Sequence, residues 1–120
     1  MPYPAVNLKN VKTIPLPKRK NRVGEGDFIF PDSPYEVLES TDLAEVAQRI
    51  LAARDKGAPV MWMQGAHVIK CGLSPIVIRL LEDGFIQHIS SNGAATIHDF
   101  EIALLGGTSE DVADSLKDGS

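Results

Sequence analysis

The chain has 120 residues, room for one domain and too little for two independent cores. It is 43% apolar and 23% charged with a net charge of −4, a soluble globular balance that speaks against overall disorder or a coiled coil. No run approaches the roughly eighteen uninterrupted apolar residues of a membrane span, and the start MPYPAVNLKN lacks the apolar stretch of a signal peptide. A soluble, cytoplasmic protein with no membrane partner is expected. The single cysteine, Cys71, excludes an internal disulfide framework and a multi-cysteine zinc site.

The two signs of charge are segregated. Residues 1–22 carry Lys9, Lys12, Lys18, Arg19, Lys20 and Arg22 and no acid, so a +6 arm joins a −10 body. Such an arm can hold nucleic-acid phosphates, or it can dock on the acidic body of its own protein or of a neighbouring subunit. It has no interleaved aromatics and no nucleic-acid fold accompanies it, so nucleic acid is not expected.

Residues 1–39 hold most of the prolines and read as an irregular basic arm, with a short strand near residues 27–30. From Thr41 the pattern turns helical: Leu43, Val46, Ala47, Ile50 and Leu51 make one apolar stripe, Thr41 or Asp42 can cap the start, and Gly57 the end. Ala58-Pro59-Val60-Met61-Trp62-Met63 is a continuous apolar run, expected as a strand covered on both faces. A loop then leads from Gly65 to Ser74-Pro75, where serine at the cap and proline at the first position announce a helix over 75–83, closed by Gly84. Phe85-Ile86-Gln87-His88-Ile89 is the next strand, and a helix over 97–105 follows it, stopped by Gly106-Gly107. Thr108-Ser109-Glu110-Asp111 is expected to open a last helix.

Strand, helix, strand, helix at these lengths is a βαβα unit with parallel strands. The fold class is therefore α/β: a Rossmann-like parallel sheet with helices on both faces, over residues 40–120, preceded by the arm of residues 1–39. Two parallel strands cannot stand alone in water. The domain is thus expected to be incomplete. Either the chain is the front part of a larger protein, cut at Gly119-Ser120, or it folds against partner subunits; the first is favoured.

In a parallel sheet the loops after the carboxyl ends of adjacent strands share one edge, where ligands bind. Here that edge collects Gly65, His67, Lys70 and Cys71 from one loop and Ser91, Asn92, Gly93, Ala94 and Ala95 from the other. Small side chains leave backbone N–H groups open at the start of a helix, which suits a phosphate or pyrophosphate. The loop matches neither the full dinucleotide fingerprint nor the Walker loop. Each candidate also has a structural reading. Thr96-Ile97-His98-Asp99 fits a capping box, His67 suits a loop satisfied by backbone, Lys70 a solvated charge, His88 a core or edge position, and Cys71 partial burial. No ligand spacing points to a metal.

Residues 65–105, GAHVIKCGLSPIVIRLLEDGFIQHISSNGAATIHDFEIALL, resemble the amino-terminal part of the deoxyhypusine synthases. The segments Ser91-Asn92-Gly93-Ala94 and His98-Asp99-Phe100-Glu101 and the arm Asn7-Leu8-Lys9-Asn10-Val11-Lys12-Thr13 resemble bacterial deoxyhypusine-synthase-like proteins most. The resemblance implies a Rossmann-like fold binding NAD in a homotetramer, with Asn92, Gly93 and Ala94 lining the cofactor and His98 and Asp99 in the place of an acidic motif. It further implies NAD-dependent aminobutyl transfer from a small amine, completed by a lysine late in a longer chain. The alternatives are a non-catalytic nucleotide-binding or assembly subunit that uses its arm on a partner, and an enzyme on another small substrate with His98 as general base.

Overall fold

A computed structural model describes residues 3–5 and 7–117; the expected cut at Gly119-Ser120 lies outside them. The order of elements is β1 (Asn21–Gly24), α1 (Thr41–Asp55), β2 (Met61–Met63), α2 (Ala66–Lys70), α3 (Ser74–Glu82), β3 (His88–Ser90), α4 (Gly93–Leu105), β4 (Gly107–Glu110) and α5 (Val112–Ser115). The expected parallel pair is present: β2 runs alongside β3 in the register Met61↔His88, Trp62↔Ile89, Met63↔Ser90. Helices α2 and α3 make the crossover between them, and α2 packs on α4. The fold is α/β and Rossmann-like. Among the described residues no helix is long and apolar enough to cross a membrane.

Several local expectations are corrected. The link from Gly65 to Ser74 is not an open loop but contains α2, which Gly65 caps in an extended conformation. Ser74 is the first residue of α3 and Leu73 its cap, because α2 runs into α3 through a tight turn at Gly72 that leaves no extended residue for a serine to cap from. Helix α1 is capped one residue earlier than expected, by Ser40, whose side chain accepts from the N–H of Leu43 at 3.3 Å. Helix α4 begins at Gly93 rather than near Ile97. Asn92 is extended there and its Oδ1 accepts from the N–H of Ala95 at 3.1 Å; with that cap in place, two alanines of high helix propensity extend the helix back to it. Asp99 therefore lies inside the helix and closes no capping box.

The largest correction concerns the two ends of the described chain. Residues 107–110 open no helix: they form β4, antiparallel to β1 with Asn21↔Glu110, Val23↔Thr108 and Gly24↔Gly107. The arm's strand thus sits at Asn21–Gly24, and Glu25–Asp27, where a strand was expected to begin, is a single 3-10 turn in which Asp27 accepts from the N–H of Gly24. Pairing with a segment far away in sequence keeps residues 107–110 extended, so the expected last helix starts later, at Val112, where Asp111 Oδ1 accepts from the N–H of Ala113 at 3.3 Å. The basic arm docks on its own acidic body: Arg19 meets Glu101 at 2.7 Å and Glu110 at 3.6 Å, and Arg22 meets Asp111 at 2.8 Å. Further along, the N–H of Ile29 donates to the carbonyl of Gly72 at 2.9 Å.

The core is small, with Ile69, Val77, Ile86 and Ala95 its buried apolar side chains. The apolar run at β2 is not covered as expected, since Met61 and Met63 are exposed while Trp62 is half-buried. The accessible surface of 9468 Å² compares with about 6300 Å² for a compact monomer of this mass. The radius of gyration of 19.5 Å compares with about 14 Å. The excess surface carries the apolar stripes of α1 (Leu43, Val46, Leu51) and α4 (Ile97, Phe100, Leu104). Two layers are built here, and apolar faces remain for further layers to cover.

Candidate functional site

The carboxyl ends of β2 and β3 point to one edge, and the residues that follow them meet there. After β2, Gln64 donates its N–H to the carbonyl of Ser90 at 2.9 Å, and its side-chain oxygen accepts from the Trp62 indole at 2.6 Å. A Cβ added to Gly65 would lie 3.8 Å from the amide nitrogen of the Asn92 side chain, so the two loops are neighbours. After β3, Asn92 turns the chain into α4 and spends its side chain on the N–H of Ala95. The N–H groups of Gly93 and Ala94, at the first two helical positions, have no intrahelical partner. A Cβ on Gly93 would meet nothing within 4 Å, so the space over this helix start is open.

A groove of about 340 Å³ runs from this edge between α3 and α4. Its walls are mainly apolar, from Ile69, Val77, Leu81, Ile89 and Ala95, and its polar groups are Gln64, Ser74, Ser91, Thr96 and Asp99. The Oγ of Ser74 is buried there without a partner. An apolar trough with a few polar groups at its mouth and a helix N-terminus beside it is built to hold a planar or ribose-like group next to an anion.

The structure divides the candidate residues between two clefts. Ser91, Ala95 and Asp99 line the groove, Asn92, Gly93 and Ala94 sit at its mouth, and Gly65 adjoins them. His67 stands on α2, exposed and away from the groove lining, and His88 is exposed on β3. Lys70 and His98 face a different cleft, on the other side of α4, of about 520 Å³, which Arg19, Arg22, Glu101 and Glu110 also line. Adjacent residues of a helix point about 100° apart, and here that turn puts Asp99 on the groove and His98 on the second cleft. Cys71 is a free, exposed thiol.

Reading the sequence missed Ser74 and Thr96 in the groove. It also missed a chain of hydrogen bonds in the second cleft. There His98 Nδ1 lies 2.6 Å from Thr108 Oγ1, Thr108 Oγ1 donates to Glu101 Oε2, and Arg19 donates to Glu101 Oε1 at 2.7 Å. Thr108 is fully buried. The hydrogen bond from Arg19 holds the Glu101 carboxyl below its ordinary range, with a further contribution from Thr108, against the opposing effect of burial. The i, i+3 spacing of His98 and Glu101 was the only local sign of this group. Among the described residues no three His, Cys, Asp or Glu side chains converge as a metal centre.

Comparison with known proteins places these features. Residues 44–119 match the family described as arginine dihydrolase ArgZ-like, C-terminal, Rossmann fold. The chain is 24% identical over 103 residues to the bifunctional arginine dihydrolase/ornithine cyclodeaminase AgrE of Nostoc sp., a match covering 84% of this chain and 15% of that protein. It is also 24% identical over 106 residues to the ornithine cyclodeaminase of Methanocaldococcus jannaschii, covering 84% of this chain and 25% of that protein. The chain thus spans a quarter or less of the length of these relatives. No solved structure matches it.

These matches overturn the resemblance to the deoxyhypusine synthases, and with it the aminobutyl transfer and the polyamine chemistry that it implied. The resembling stretch, residues 65–105, lies wholly inside the matched region. A small-residue turn leading from a parallel strand into a helix is what any Rossmann-type ligand edge requires. It marks the fold and does not distinguish these families. With more than half of its residues matched, and with the parallel pair and its ligand edge in place, the chain belongs to the arginine dihydrolase ArgZ-like C-terminal Rossmann-fold family.

Proposed function

We propose that this chain contributes the dinucleotide-binding part of an enzyme of the arginine dihydrolase/ornithine cyclodeaminase kind, with NAD or NADP as its cofactor. The observation that carries the reading is the ligand edge itself. Two parallel strands deliver Gln64-Gly65 and Ser91-Asn92-Gly93 side by side to the open start of α4, at the mouth of an apolar groove. The relatives' names, arginine dihydrolase and ornithine cyclodeaminase, supply the reaction class.

The residues present fit such a group. The unpaired N–H groups of Gly93 and Ala94 and the positive end of α4 would hold a phosphate. Asn92 keeps that helix start in position, and the absence of a side chain at Gly93 lets the phosphate approach the backbone. Asp99, on the groove wall, is placed to accept from ribose hydroxyls, and the buried Oγ of Ser74 gains a partner when a polar group enters. When bound, a nicotinamide cofactor accepts and returns a hydride. The chain's own part is to bind it, orient it and keep water from the apolar trough.

The exposed stripes of α1 and α4 and the second edge of β2, which pairs with no strand among the described residues, support a sheet and helix layer continued by other polypeptide. We read a homo-oligomer, or further segments of the same protein, as what covers them. The test of the cofactor reading is calorimetric titration with NAD and NADP. Gly93→Val is expected to weaken binding about tenfold or more, because a branched side chain fills the space a phosphate needs. Unchanged affinity in a folded Gly93→Val protein would remove this helix start from the site.

A further inference from the structure

The second cleft contains a histidine whose proton is assigned by its neighbours. Glu101 is held as a carboxylate by Arg19, so it only accepts, and the single proton of the Thr108 hydroxyl goes to it. The Thr108 oxygen can then only accept from His98, and Nδ1 of His98 must carry a hydrogen. In the neutral ring this leaves Nε2 with a lone pair. Nε2 has no partner among the described residues and is not one of the buried atoms left unsatisfied, so it opens on the cleft.

Three further groups around it are consistent in chemistry. Lys70 lines the same cleft with no carboxylate partner among the described residues, whereas Arg19 and Arg22 are occupied by Glu101 and Asp111. Glu110, on the cleft wall 3.6 Å from Arg19, is a second acceptor. Ser109 holds a left-handed backbone conformation, φ 60°, unusual for a residue with a Cβ, and its Oγ is buried in the cleft wall with no partner. Two acceptors, one uncommitted cation and an orphaned hydroxyl ask for a ligand that is anionic and still carries a proton.

We propose that this cleft, separate from the dinucleotide groove, is a binding site for a small oxyanion that keeps an O–H, with that O–H donated to His98 Nε2 and an anionic oxygen facing Lys70. Thr108, Glu101 and Arg19 are positioning residues that fix the tautomer of His98. A fully deprotonated oxyanion of the same size is rejected, because its oxygen would face a lone pair. The proposal does not depend on the cofactor reading and survives its failure.

The test uses hydrogen phosphate and sulfate, which match in shape and charge at about pH 8, while only hydrogen phosphate carries a proton. The protein has three histidines, so ¹⁵N-histidine labelling with assignment by substitution isolates His98. The expected result is a pyrrole-type Nδ1 and a pyridine-type Nε2, with Nε2 shifting saturably on addition of phosphate and sulfate binding at least tenfold more weakly. Lys70→Ala should weaken phosphate at least tenfold, and His98→Gln, whose amide can also donate, should abolish the preference over sulfate. Thr108→Val should release the tautomer and Thr108→Ser retain it. If the valine variant does not fold, the serine variant and His98→Gln still decide. A proton on Nε2 in the unmodified protein, equal binding of the two anions, or no binding of phosphate overturns the proposal.

Discussion

Replacing Gly72 by alanine probes how firmly the basic arm is built into the fold. Gly72 has φ +73°, and a Cβ there would lie 2.2 Å from the carbonyl oxygen of Asp27 and 3.0 Å from its carbon. The obstacle is backbone, so no side-chain rotation relieves it. Gly84 has nearly the same φ, +70°, but open space around its Cβ. Gly84→Ala therefore costs only the left-handed penalty, about 1–2 kcal/mol. Gly72→Ala adds the displacement of residues 27–28 and loss of the hydrogen bond from Ile29 to the Gly72 carbonyl, itself about 1 kcal/mol. The total is expected to be about 3 kcal/mol or more. Urea denaturation of both variants, together with limited proteolysis of the arm, reads the difference. If Gly72→Ala unfolds within about 0.5 kcal/mol of Gly84→Ala, the arm does not pack on the α2–α3 turn as described.

Glu101→Gln is expected to cost about 2 kcal/mol, since it replaces the nearer of two carboxylates on the largely buried Arg19 guanidinium by a neutral amide and leaves only Glu110, at 3.6 Å. The same carboxylate makes a pH signature whose sign is fixed. Its folded value lies below the ordinary one, so the folded state releases this proton more readily than the unfolded chain. Its stabilisation is complete above the ordinary carboxylate value, about pH 4.3, and is lost as the pH falls through the lowered folded value. Urea midpoints measured over that acid range should fall more steeply for the unmodified protein than for Glu101→Gln, and parallel curves would contradict the pairing. Asn92→Ala should cost about 1 kcal/mol of stability through the lost cap, with a parallel weakening of NAD as the start of α4 frays.

What could be read in the sequence was what local pattern encodes. The parallel pairing of β2 with β3, the helix stop at Gly57 and the meeting of the Gly65 and Asn92 loops follow from apolar runs and glycine positions within about thirty residues of one another. The pairing of β1 with β4 was not legible, because Thr108-Ser109-Glu110-Asp111 reads as one helix-cap signal, whereas only Asp111 acts as a cap and the residues before it pair with a strand more than eighty residues away. The division of the site had the same cause. Lys70, His98 and Asp99 share one sheet edge in a chain-order reading, but the direction of side chains around α4 sends His98 and Asp99 to separate clefts. The resemblance to the deoxyhypusine synthases rested on a turn that serves a ligand edge generally. The family match over residues 44–119 draws on the whole βαβα unit instead.

Amide hydrogen exchange, resolved along the chain with and without saturating NAD, reads whether a dinucleotide binds at the start of α4. The prediction is slowed exchange at Gly93, Ala94 and Ala95 and in the segment Gln64-Gly65, with β1 and β4 unchanged. Binding of NAD with no protection at these amides, or no saturable binding, would contradict it.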